Sequence, residues 1–450
     1  MSSGIQFQST PPLHISMRFY GIAPLFLLLI AILIYNHKLQ VQNLHWHSDW
    51  IVIAHLFVLG FILNHIYGSI FQLLPVLGAQ TPKNVNQWST PLWFLHNGGL
   101  SVFILAWLLN NKLLLWAGAA SLFSAFLVYA LFIVLSLKSL IRRSHIHNAL
   151  LDSLGALFMG LVWAGFLVLG HAGNHFVLDR SVALGWHLRS LVVVWLVISI
   201  HAISLQVLPM FFVSHPLPEW WQRRASRLLL ALLLCSTISS AFTELGGYQN
   251  LKDLVFNIFT FSVATWVCLF TGLNLRALLH RTKKNPDISL NLWLFGFGLA
   301  GLLALIWLIN SLPGSYLQLL SWGYGRLEAI LTGVWLLIWG GIIIQAMIRK
   351  IIPFLIWQQL MQTGSKPLPI MGRIFHRYLD SLSGFSVSVL ALFYLISPPD
   401  WEERGWIIAT LLLFWSLSHS ANLLRSAWVY YQAISREAPI SPTNHSSSIT

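Results

Sequence analysis

Long apolar runs separated by short polar stretches make up most of this chain. Twelve reach membrane-crossing length, at about residues 18–36, 50–75, 91–109, 113–137, 149–170, 183–211, 228–244, 253–279, 289–310, 324–347, 377–397 and 405–431. In lipid, only helices and closed barrels satisfy every backbone polar group. These runs are too long and too uniformly apolar for barrel strands. The predicted fold is all-α, a polytopic membrane protein with about 12 transmembrane helices. Polar connections as short as Asn110-Asn111-Lys112 make neighbouring spans antiparallel.

A motif recurs three times along this pattern. Gln72-Leu73-Leu74-Pro75, Gln206-Val207-Leu208-Pro209 and Lys350-Ile351-Ile352-Pro353 lie 134 and 144 residues apart, at the predicted ends of spans 2, 6 and 10. Internal periodicity of this kind indicates repeated units. The expected organisation is three parallel four-helix repeats, about 18–137, 149–279 and 289–431, within a single domain spanning 1–434. All three copies run the same way, whereas inverted repeats would alternate in direction. The motif itself reads as scaffold: prolines that end or kink helices, glutamines that cap them, and Lys350 reaching the membrane surface beside Arg349. The tail 435–450, rich in Ser, Thr and Pro, is expected to be disordered.

Composition agrees with a membrane protein. The 450 residues are 56% hydrophobic and only 9% charged, so the net charge of +13 does not point to nucleic acid. It reflects loop bias instead. With the N-terminus inside, 19 of the 26 Lys and Arg residues fall on the inner side, which predicts cytoplasmic termini. No basic region precedes the first apolar run and no small-residue cleavage site follows it, so 17–35 reads as a first span. Cys235 and Cys268 both sit in predicted spans and form neither a disulfide framework nor a zinc spacing. No phosphate loop, Ser/His/Asp arrangement or carboxylate pair is present, which removes support for ATP or serine-type hydrolysis.

Histidine is the remaining chemistry. Ionisable residues at membrane depth are functional candidates, although a lone histidine often just bonds a carbonyl across a helix contact. His55 and His187 each stand about 20 residues ahead of a motif proline, in equivalent places of two repeats. His65 shares a helix face with Gln72. His201 follows His187 by fourteen residues, ~40° round and ~21 Å along an ideal helix. His419 lies midway along span 12, and His96 near the start of span 3. His171 and His175 have i, i+4 spacing, but two ligands alone do not complete a metal site. His45, His47, His145, His147, His215 and His280 read as surface or interfacial. In the third repeat Arg326 and Glu328 occupy the level where a histidine would be expected.

With these residues in view, the chain resembles subunit I of the haem-copper oxidases and nitric-oxide reductases. More narrowly, His55-x3-Leu59-Gly60 leading to Gln72-Leu-Leu-Pro75 looks like the oxidase-subunit-I-like membrane proteins related to the NnrS family. His187 leading to Gln206-Val-Leu-Pro209-Met-Phe, and Lys350-Ile-Ile-Pro-Phe-Leu-Ile-Trp357, look the same. The resemblance implies haem and copper as cofactors. His55 would match a haem ligand and His187 the location of a copper ligand, so His55 and His187 are the metal candidates. His65, His201 and His419 are further cofactor-binding candidates. It also implies the cytoplasmic membrane of a bacterium, respiratory or nitric oxide-related chemistry, and a redox partner or respiratory-complex subunits besides the lipid bilayer. The pattern departs from true oxidases: span 6 lacks His-Pro-Glu, span 7 lacks a His-His pair and predicted span 10 has no histidine. A competent oxygen-reducing centre is therefore not expected. The alternative is a cofactor-free scaffold relative acting in transport, metal handling or complex assembly; an ordinary secondary transporter is the third reading.

Overall fold

A computed structural model of the chain describes residues 11–37, 48–77, 84–138, 144–173, 175–176, 178–283, 285–311, 332–398, 401 and 403–435. Among them, 12 helices are long and apolar enough to cross a membrane. In chain order the spans are Leu13–Asn36, Ser48–Val76, Val85–Leu108, Lys112–Lys138, His145–Gly173, Arg180–Phe212, Glu219–Glu244, Leu254–Leu279, Ile288–Ile309, Thr332–Thr363, Arg377–Ile396 and Arg404–Ser435. The fold is all-α and multi-pass. Arg326, Glu328, His45, His47 and the tail beyond Ser435 lie outside the described residues.

Spans 2, 6 and 10 form the centre. Their apolar windows are 67%, 72% and 89% buried, against 33–50% for the other nine, which must face lipid on one side. Those nine pack edge to edge in a closed ring ordered 1, 3, 4, 5, 7, 8, 9, 11, 12 and back to 1. The motif-bearing helices are thus the three innermost. Small residues allow their close approach. A Cβ added at Gly340 of span 10 would run into Ile62 of span 2, and one at Gly60 into Phe26 of span 1.

Each central span contains a π-helical stretch: Leu56–Leu63, Arg189–Trp195 and Leu337–Ile343. A π turn closes its hydrogen bonds over one more residue than an α turn, which leaves carbonyls poorly covered where no water can reach them. Neighbouring side chains take them up. His96 of span 3 donates from Nε2 to the Leu59 carbonyl at 2.8 Å, and Asn64 donates to that of Gly60 at 2.7 Å. In span 6 the Val192 carbonyl accepts from Trp335 Nε1 of span 10 at 3.3 Å.

Two motif prolines stand where expected, in the last turn of helices that end at Val76 and Phe212, and the third does not. Pro75, Pro209 and Pro353 all lie inside their helices, and span 10 continues for ten residues past Pro353 to Thr363. Lys350 is therefore not at a helix end. It pairs with Asp287 at the start of span 9 and stands 5.3 Å from the Phe212 ring centre. Gln72 ties span 2 to the N-terminal segment by donating to the Pro11 carbonyl at 2.7 Å.

Candidate functional site

The central helices do not close completely. A cavity of about 330 Å³ lies among them near the N-terminal ends of spans 2 and 6, walled chiefly by aliphatic and aromatic side chains. His55 and His187 both line it. Their ring centres are 6.4 Å apart and their planes are inclined by only 19°. Two residues of spans 2 and 6, each about 20 positions ahead of a motif proline, therefore meet at one cavity.

Their hydrogen bonds orient them alike. His55 Nδ1 donates to the Ile51 carbonyl at 2.7 Å, one turn back on its own helix. His187 Nδ1 donates to the Gly160 carbonyl of span 5 at 3.2 Å. A carbonyl only accepts, so each ring carries its proton on Nδ1 and keeps the Nε2 lone pair available. Metal-ligating imidazoles are commonly held this way, through a second-nitrogen bond to a backbone carbonyl.

Charged groups in its lining are few. Arg404, at the start of span 12, is 1% exposed and lines the cavity. It donates to the Tyr394 carbonyl at 3.1 Å and stacks 4.6 Å from that residue's ring centre. Its Nε has no partner, and no carboxylate among the described residues pairs with it. Asp49, Arg180, His171 and Thr332 also line it, and the His171 ring packs edge-on against Trp107 at 5.0 Å.

The other candidate histidines separate. His65 and His419 meet in the bundle interior, with Nε2 atoms 3.1 Å apart. His201 joins neither pair. Both of its nitrogens are buried without a hydrogen-bond partner, and Trp221, Trp266 and Phe270 surround the ring nearly edge-on at 5.2–6.1 Å. His187 lines the cavity and bonds span 5, whereas His201 lies among rings of spans 7 and 8, with the π stretch Arg189–Trp195 between them. His147, expected at the surface, is buried and donates to the Leu77 carbonyl at 3.0 Å, capping span 2.

Sequence reasoning missed Arg404, which reads as an outer-loop charge, and gave His171 no place in the site. For Arg404 a signal existed, since it immediately precedes an apolar run. It also missed a polar cluster beneath His419. Arg349 is paired there with Asp380 and bonds Ser383 at 2.8 Å, while Trp415 donates to Gln345 at 3.1 Å. Compared with known proteins, the sequence matches no family model and no curated protein.

Proposed function

We propose that this chain is a haem-binding membrane protein acting in respiratory or nitric oxide-related electron transfer, with His55 and His187 as the two axial ligands of one haem. The facing imidazoles carry this reading. Two rings on opposite sides of one metal ion, each with a metal–nitrogen bond of about 2 Å, have centres roughly 6 Å apart. The observed separation is 6.4 Å with nearly parallel planes.

The residues fit the group in three further respects. Each ring keeps Nε2 free because its Nδ1 is bound to a carbonyl. The apolar cavity falls in the size range of cofactor sites, whereas a bare ion would leave most of it empty. Arg404, buried with no carboxylate partner among the described residues, would receive an acidic substituent of the ligand and be compensated by it. Haem held through two imidazoles supplies one-electron redox chemistry. With both imidazoles engaged by one haem, the site would favour electron transfer over oxygen reduction, in keeping with the missing histidines of span 7. His55 is the firmer ligand support, being hydrogen-bonded within its own helix, while His187 depends on the packing of span 5 against span 6.

The loop charges support cytoplasmic termini. The cavity then lies on the outer half of the membrane, and a partner exchanging electrons with it would approach from that side.

The deciding measurement is a reduced-minus-oxidised absorption spectrum of the purified protein after haem-supplemented expression. Haem bands that disappear in both His55→Ala and His187→Ala are expected. A colourless wild-type protein would overturn the reading and leave the cofactor-free scaffold in its place.

A further inference from the structure

Three arginines gather where span 11 begins, on the face of the bundle from which the odd-numbered spans start. Span 11 opens at Arg377, and the segment ahead of it is tied to span 12. The His376 backbone N–H donates to Asn422 Oδ1 at 2.8 Å, and Arg425 donates through Nη2 to the Arg373 carbonyl at 3.4 Å. Arg373 and Arg377 are exposed, while Arg425 is half-buried with an Nε that has no partner. His376 Nδ1 is buried without a partner as well. The ion pairs of the described residues are Arg223–Glu219, Arg349–Asp380 and Lys350–Asp287, and none includes Arg373, Arg377 or Arg425. Asp380, one turn into span 11, is taken by Arg349. The cations also surround the start of a helix that has no side-chain cap, where the backbone dipole is itself positive. Positive charge collected in this way calls for an anion.

We propose that Arg373, Arg377 and Arg425 bind the phosphate of an anionic phospholipid whose acyl chains lie along the outer faces of spans 11 and 12. A phosphodiester supplies the acceptor oxygens that guanidinium groups and the open backbone N–H groups of a helix start both seek. The flanks select lipid over free phosphate. Leu382 and Phe385 of span 11 and Leu417 and Leu424 of span 12 are all exposed, so apolar surface continues from the cluster into the membrane. Tyr378 is exposed beside Arg377, and amphipathic rings favour the depth of the headgroups. Basic pockets between transmembrane helices recognise anionic headgroups by this combination. Loop bias accounts for the sign of the charge on this face, but not for three guanidinium side chains gathered at one helix start.

No residue of the cluster belongs to the His55–His187 cavity, so the site is independent of haem binding. The test uses the full chain in neutral detergent, titrated with phosphatidylglycerol, phosphatidylcholine or inorganic phosphate. Bound lipid is read by native mass spectrometry and stabilisation by the thermal midpoint. Phosphatidylglycerol should bind about tenfold or more tightly than phosphatidylcholine and raise the midpoint, and inorganic phosphate should not. The double variant Arg373→Gln, Arg377→Gln changes only exposed side chains and should weaken phosphatidylglycerol binding about tenfold or more. Arg224→Gln, Arg227→Gln removes two exposed arginines of span 7 on the same face and should leave that binding unchanged. Equal binding of the two lipids, an equal loss in both double variants, or inorganic phosphate raising the midpoint as far as phosphatidylglycerol would each overturn the assignment.

Discussion

His96 bridges two helices by donating its Nε2 proton to the Leu59 carbonyl at 2.8 Å, inside the π stretch of span 2. The bond gives His96 a structural task, since it satisfies a carbonyl that the π turn leaves open at membrane depth. Leu59 also lines the cavity four residues after His55, so the bond supports the site from behind. His96→Leu removes the shorter of that carbonyl's two side-chain bonds, leaving only Asn64 Nδ2 at 3.4 Å, and should cost roughly 1 kcal/mol. A lower thermal midpoint in detergent would show it. Haem content at low temperature should persist, because neither proposed axial ligand is touched.

Filling the cavity should separate binding from folding. Ala164 of span 5 lines it and is only partly buried, so Ala164→Phe adds a ring to open space rather than to packed core. The expected result is a sharp loss of haem per chain with both histidines in place and with little change in thermal stability. An unchanged haem-to-protein ratio would place the ligand elsewhere.

The Arg349–Asp380 pair should matter more for stability than any surface charge. Arg349 has only 2% of its side chain exposed, and Asp380 15%. Removing one partner of such a pair leaves a buried charge uncompensated, at a cost of about 3–5 kcal/mol. Asp380→Ala should therefore lower the denaturation midpoint far more than the double variant Arg349→Met, Asp380→Leu. A double-mutant cycle measures the difference.

Two glycines test where the ring of outer helices packs tightest. A Cβ at Gly118 of span 4 would stand 2.6 Å from the backbone nitrogen of Phe103 in span 3, and backbone cannot step aside. Gly98 of span 3 has nothing within 4 Å of the same position. Gly118→Leu should cost about 1–3 kcal/mol or more through overpacking. Gly98→Leu should be nearly neutral in the same unfolding assay.

The sequence alone determined the membrane class, the all-α fold and the number of spans, because apolar length decides what can cross a bilayer. The thrice-repeated motif also marked spans 2, 6 and 10, the three that turn out innermost. It could not show how far span 10 runs: Pro353 looks like a terminator, yet packing carries the helix on to Thr363. Which histidines meet was decided only by tertiary structure. His55 reaches His187 and His65 reaches His419 across separations of 132 and 354 residues, while His201 is left among aromatic rings. The reason is rotational. A helix directs each side chain by its angular step per residue, and the π stretches of the central spans change that step part-way along. An ideal-helix projection therefore loses the facing of residues beyond them, and only packing of the whole bundle restores it.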